Sequence, residues 1–396
     1  MYLPTLELLN ASLKRILVRL DLNLPLYQGE ITDLTRLERS LPTIRELVAQ
    51  NAKVIILTHL GRPKGIDTNL SLAPIADALR TALAPTPVSF CRVPQGPYVK
   101  EAIDLLQPGQ ILLVENIRFV EGEEKNDPVF VQELASWGDA YVNDAFSTSH
   151  RAHASTEGIA HFLPQYAGRL MEAEINALTQ ALDAPRRPLM AIVGGSKIST
   201  KLPLLENLIS KVDLLVIGGG MANTLLAAQG VNVGASLYEP DLLETARSLL
   251  KNAPAILLPE DVVVATDLNY PLSRDVRTLS EIQPNEKIFD LGPRTCELIL
   301  ERMTKCHTLL WNGPLGVFEV PPFDQGTTQV AQGAAQLTRE GSLISVAGGG
   351  DTLAALAHAN ALDDFTYAST AGGAFLEWIE GKTLPGVAAL CQSSLP

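Results

Sequence analysis

Short runs of Val, Ile and Leu alternate along this chain with segments long enough for a helix, and that alternation permits few architectures. In the first half the runs are Arg15–Leu20, Lys53–Thr58, Ile111–Val114 and Ala140–Asn143. A second series comprises Leu189–Val193, Leu214–Ile217, Ala255–Leu258, Lys287–Phe289, Thr308–Trp311 and Leu343–Val346. Apolar strands joined by helix-length connections belong to parallel sheets covered on both faces. A chain of 396 residues is too long for one core, so two α/β domains are expected. Between the series lies Arg169–Leu182, whose Leu170, Glu174, Ala177, Leu178 and Ala181 recur at helical spacing before Asp183–Pro188 stops the pattern. The spacing predicts a connecting helix there, with the boundary near residues 168–186.

Composition narrows the partners. With 46% hydrophobic and 19% charged residues the chain is built to fold. A net charge of −13 argues against nucleic acid as the main partner. Cys91, Cys296, Cys306 and Cys391 form no CxxC pair and no metal-ligand spacing, as expected of buried thiols in a reducing cytoplasm. The first residues lack the basic start and apolar run of a secretion signal. The uncharged stretch Leu214–Tyr238 is long enough to cross a bilayer. Gly218–Gly220 breaks it, however, and Asn223, Gln229 and Asn232 load it with amides, so it reads as strand, glycine loop and buried helix.

Ligands of open parallel sheets bind beyond the carboxyl ends of the strands. In the first half those positions are polar and basic. Arg19, Asp21 and Asn23 alternate with leucines and share one side-chain direction, which on local sequence could equally be a solvated strand face. His59 and Arg62 follow the second run, Arg118 the third, and Asp144–His153 with Arg151 the fourth, while Arg36 adds another guanidinium. A lone His or Arg in a loop is usually structural. Several together suit a ligand with phosphate and carboxylate groups, which guanidinium binds through paired hydrogen bonds. Metal binding by His150 and His153 is disfavoured, since Arg151 lies between them and no carboxylate pair is spaced for it.

In the second half the same positions are glycine-rich. Gly194–Lys201 follows a strand; four residues apart, Lys197 and Lys201 are expected on one face of the helix it opens. The spacing is neither GxxxxGK[ST] nor GxGxxG, which weakens a dinucleotide dehydrogenase reading. Gly218–Gly220 and Gly348–Gly350 follow further strands. Asp351 either caps the helix Leu353–Ala359 or holds Mg²⁺ with nucleotide phosphates. Trp311–Glu319 offers a base and ribose loop, and Ser369–Phe375 leads into a helix at Leu376–Glu380 with free amides.

RLDLNLP, HLGRP, ENIRF, DAF…HRAHAST, GGSK…K, GGGMANT, WNGPLGVFE, GGGDT and STAGGA, in this order over residues 15–382, resemble the phosphoglycerate kinase family. The resemblance implies two Rossmann-like three-layer domains with parallel sheets, joined by a connecting helix and facing each other across a cleft. Residues 1–168 would bind 3-phosphoglycerate, 169–185 form the hinge and 186–375 bind nucleotide, with a helix and tail at 376–396 that could return to the first domain. It implies Mg-dependent transfer between 1,3-bisphosphoglycerate and ADP by a cytoplasmic monomer that bends at the hinge, with no nucleic acid or membrane partner. Asp21, Asn23, Arg36, His59, Arg62, Arg118 and Arg151 would hold 3-phosphoglycerate. Arg36, Lys197, Gly372 and Gly373 would act on the transferred group. Lys197, Lys201, Gly349, Gly350, Asp351 and Thr352 would take nucleotide phosphates and Mg²⁺, and Gly219, Gly292, Asn312, Pro314 and Glu319 would surround adenosine. Ala371 stands where the family has a third glycine, and a left-handed backbone there would be strained; Thr200 replaces an acid and Ser149 an alanine. A non-catalytic relative would have lost Arg36, Lys197 or Asp351, and all three are present.

Overall fold

β-Branched and leucine-rich runs are driven inside on both faces, and they form the centres of two parallel sheets. The computed structural model describes residues 2–252, 255–269 and 274–391. By packing, the chain divides into one unit built of residues up to Ile175 and from Thr383 onward, and a second built of Asn176–Lys382.

In the first unit six parallel strands run in the order Val88–Cys91, Ile111–Val114, Lys53–Leu57, Arg15–Leu20, Ala140–Asp144, Gln165–Ala167. Arg15–Leu20 is central, pairing Arg19 with Leu57 on one side and with Asn143 on the other. The strand order therefore reverses beside the residues after Leu20, which is where such sheets bind ligands. Ile16, Val18, Val54, Ile56, Leu113 and Val142 face one core with Leu37, Ile44 and Leu47 of helix Thr35–Ala49. Helix Pro385–Cys391 also belongs to this unit: Gly386 N–H donates to Ser149 O at 2.9 Å.

The second unit repeats the plan, in the order Ile256–Leu257, Leu214–Ile217, Leu189–Val193, Thr308–Asn312, Ile344–Gly348, Tyr367–Ser369. Its order reverses between Leu189–Val193 and Thr308–Asn312, so the turns after those strands meet at the switch point. A separate antiparallel sheet, Asp275–Thr278, Asp261–Ala265, Lys287–Leu291, lies outside the parallel array. Lys287–Phe289 is thus a strand, as its pattern predicts, but not of the parallel series.

Other boundaries also move. The expected helix Arg169–Leu182 is an α-helix over Arg169–Leu178 and widens to a π-helical turn at Thr179–Asp183. The division between the units falls inside that helix, after Ile175. At the far end, helix Gly373–Ile379 stays with the second unit, so the division expected at 375/376 lies after Lys382.

Candidate active site

In the first unit the polar positions converge at the carboxyl ends of the central strands. Arg19 contrasts with the solvated-face reading: it is completely buried. Its Nε donates to Ser155 Oγ at 2.9 Å, its Nη2 lies 3.1 Å from His59 Nδ1, and its Nη1 donates to Leu20 O. Ser155 passes the contact on, since its Oγ and N–H donate at 2.6 and 3.0 Å to Glu123, a carboxylate with no exposure. Asp21 accepts from Arg36 Nη1 at 2.7 Å and from Ser147 Oγ. Asn23 Oδ1 accepts the Gly61 N–H at 2.8 Å, and Arg118 Nη1 donates to Gly61 O at 2.7 Å. Arg62 is exposed on this loop, and half-buried Arg151 reaches His150 through Nε at 3.3 Å.

The electrostatics of this cluster are those of a cationic pocket short of counter-charge. Burial, then Arg19 and Arg118, push His59 well below the usual histidine range. Burial, then Arg118 and Arg19, bring His153 down to about 4. Even Arg118 falls to about 10, first through burial and then through Arg19. Groups that repel one another while poorly solvated gain most when an anion enters. Between pH 6.5 and 4 the unfolded chain takes up a proton that folded His153 refuses. Stability should therefore fall as pH drops through that window, by on the order of 3 kcal/mol for this group, and level off below it. Denaturant titrations of wild type and His153→Gln should show the wild-type slope reduced in the variant.

In the second unit the glycine turns stack against one another. Lys201 Nζ donates to Gly194 O at 2.6 Å and to Asn312 Oδ1 at 2.7 Å, and burial lowers its pKa to about 8 against the attraction of Asp351. Asn312 Nδ2 donates to Gly348 O at 2.7 Å, and Thr352 Oγ1 accepts the Gly313 N–H at 2.7 Å. Gly219 has φ +67°, and a Cβ there would lie 2.6 Å from Gly195 O, so only glycine fits the approach. Beside these turns is a cavity of about 550 Å³, lined by Gly219, Pro314, Glu319 and Asp351 and walled by Leu237, Ile288, Phe289, Leu315 and Val317. An apolar slot with polar groups at one end suits a nucleoside whose phosphates lie at the glycine turns.

Not every expected residue is part of that cavity. Gly292 is the N-cap of helix Pro293–Met303 and packs against the Asp261 carboxylate; its neighbour Leu291 lines the cavity instead. Lys197 and Lys201 do not share a helical face, because the helix begins only at Leu202 and is preceded by a turn at residues 199–201. Lys197 is exposed while Lys201 is half-buried. Gly349 caps helix Gly350–His358, which leaves Asp351 exposed in its first turn rather than at the cap. Gly372 and Gly373 open helix Gly373–Ile379. The left-handed residue there is Gly372, at φ +52°, and Ala371 is outside that region, so the strain expected at Ala371 does not arise. Ser149 is buried, donating to Ala145 O at 3.2 Å, and Thr200 Oγ1 donates to Lys197 O at 2.9 Å. Sequence reasoning missed the Arg19–Ser155–Glu123 chain and the strand Asp261–Ala265, which pairs behind the cavity-lining strand Lys287–Leu291.

Among the described residues there is no group of three or more His, Cys, Asp or Glu arranged to hold a metal. Asp351, an exposed carboxylate beside the glycine turns, is consistent with a cation that keeps its waters and is shared with phosphates.

Known proteins carry the same pattern. The family model described as phosphoglycerate kinase matches residues 6–382. The phosphoglycerate kinase of Xanthobacter flavus is 55% identical over 381 residues, covering 95% of this chain and 96% of that one. That of Rhizobium meliloti (strain 1021) is 55% identical over 391 residues, covering 98% of each. The solved structure of phosphoglycerate kinase from Coxiella burnetii superposes with a TM-score of 0.92 at 42% identity over 100% of both chains.

Proposed function

Given that the chain belongs to the phosphoglycerate kinase family, we propose that its first unit holds the phosphoglycerate and its second the nucleotide. The reaction is reversible phosphoryl transfer between 1,3-bisphosphoglycerate and ADP, giving 3-phosphoglycerate and ATP. The observation that carries the assignment is the gathering of Arg19, Arg36, Arg118, His59 and His153 beyond the carboxyl ends of the central strands, where their charges repel one another. Asp21 and Asn23 shape that pocket, and Arg62 and Arg151 complete its rim. Pro314, Glu319 and Gly219 enclose the nucleoside, while Lys201, Asn312, Gly349, Gly350 and Thr352 support its phosphates. Gly292 stands behind the wall.

The attacking group in the ATP-consuming direction is a carboxylate, whose ordinary pKa of about 3.5–4 leaves it ionised at neutral pH. No general base is required, and catalysis rests on in-line positioning and stabilisation of charge. Arg36 and Lys197 supply cationic stabilisation, and the Gly372 and Gly373 amides supply dipoles. The family uses its nucleotide with a metal ion; we assign Mg²⁺ here, with Asp351 as its protein carboxylate. Bound there, the ion would neutralise phosphate charge.

Because Lys201 titrates near 8 before phosphate arrives, nucleotide affinity should weaken as pH rises above that value. Lys201→Met should lower the affinity by about 10–100-fold and flatten the pH dependence, as calorimetry with ADP would show.

A cytoplasmic monomer is the form we assign; among the described residues no helix is long and apolar enough to cross a membrane. Coupled turnover of ATP and 3-phosphoglycerate tests the whole reading. Folded protein that binds ADP but shows no turnover would favour a non-catalytic relative, which the family match does not favour; nor does it favour a dehydrogenase.

A further inference from the structure

Lys197 lies just ahead of the turn at residues 199–201 rather than in a helix, and it is exposed. A long ammonium stem contributes to transition-state charge only if its backbone is held in place beforehand. Thr200 Oγ1 closes the turn from within, donating to Lys197 O at 2.9 Å. The outside support comes from a residue far along the chain. Glu239 Oε1 accepts the Ser199 hydroxyl at 2.5 Å, and Glu239 Oε2 accepts the Ser199 N–H at 3.1 Å. The Ile198 backbone and the Lys197 charge also favour the ionised carboxylate. Glu239 is itself anchored: its N–H donates at 3.1 Å to Thr224 Oγ1, a buried residue of helix Gly220–Ala228. That helix starts at the nucleotide cavity, where Gly219 and Gly220 form part of the lining.

We infer that Glu239 is a positioning residue for the phosphoryl-transfer step, clamping the Ser199 end of the turn so that Lys197 is presented in one place. A carboxylate is suited to this because both oxygens accept, one from a hydroxyl and one from an amide. The inference rests on the role given above to Lys197, and the experiment separates the two.

Steady-state kinetics on wild type, Glu239→Gln, Lys197→Ala and the double variant form a cycle. Glu239→Gln should lower kcat by about 10–100-fold, the scale of a misplaced catalytic group. The KM values for ADP and 3-phosphoglycerate should stay within about two-fold, since ground-state binding is untouched. In the Lys197→Ala background the Glu239→Gln substitution should cost nothing more. Ser199→Ala, which keeps the amide half of the clamp, should show the same kind of kcat loss at smaller size, and stands in if Glu239→Gln folds poorly. Wild-type kcat in both clamp variants would overturn the inference, as would a full Glu239→Gln loss persisting without Lys197. Wild-type kcat in Lys197→Ala would instead overturn the role of Lys197.

Discussion

Arg36→Ala is expected to lower kcat by about 10³–10⁵-fold, the range for an arginine that meets transition-state charge in phosphoryl transfer. That corresponds to roughly 4–7 kcal/mol of barrier. The guanidinium is already oriented: Nη1 is held by Asp21 at 2.7 Å and approaches Asn23 O at 3.4 Å, while the side chain stays 35% exposed and able to reach a ligand. Nucleotide affinity should change little, because Arg36 belongs to the first unit and the nucleotide cavity to the second. Calorimetry with ADP beside single-turnover kinetics distinguishes the two quantities. Equal losses in both would contradict the role given to Arg36. Arg36→Lys should recover only a small part, since an ammonium does not reproduce the planar fork.

The second large effect is on stability. Glu123→Gln should cost on the order of 3–5 kcal/mol, the penalty for leaving a buried charge without its partner. Arg19 is buried completely, and the negative charge nearest to it through Ser155 is Glu123. Burial raises the pKa of Glu123, and Arg19 opposes that rise. The transition to follow in denaturant is the one that 3-phosphoglycerate stabilises, which reports the first unit alone. A midpoint within about 1 kcal/mol of wild type would show that Ser155 and the backbone suffice for Arg19.

The strand centres were legible because they are buried on both faces and read as apolar runs; Ile111–Val114, Leu189–Val193 and Leu214–Ile217 begin and end where the pattern does, and so does Arg15–Leu20 despite its two arginines. Edge strands were not. Val88–Cys91 exposes Ser89, and Tyr367–Ser369 is short and half-buried, so neither carries a core pattern. Lys287–Leu291 shows the limit of periodicity, which indicates a strand without naming its partner. In the candidate site, the gathering of the residues directly after strands was legible, because a parallel sheet brings its carboxyl ends together. The shared helical face of Lys197 and Lys201 was misread because spacing alone does not reveal that the chain turns once more before Leu202. Glu123, Ser155 and Glu239 gave no local signal; tertiary folding alone brings them to Arg19 and Ser199.

Because residues 383–391 pack with the first unit, a ribosome must synthesise the whole second unit before it supplies helix Pro385–Cys391. Gly386 N–H bonds Ser149 O, two residues from Arg151, and Gln165 Nε2 reaches Ala389 O at 3.4 Å. The nascent chain can thus complete its second unit early, whereas the loop carrying Arg151 gains its final brace only after translation has passed that point. A stalled product cut short before Thr383 should accordingly bind ADP and hold 3-phosphoglycerate poorly.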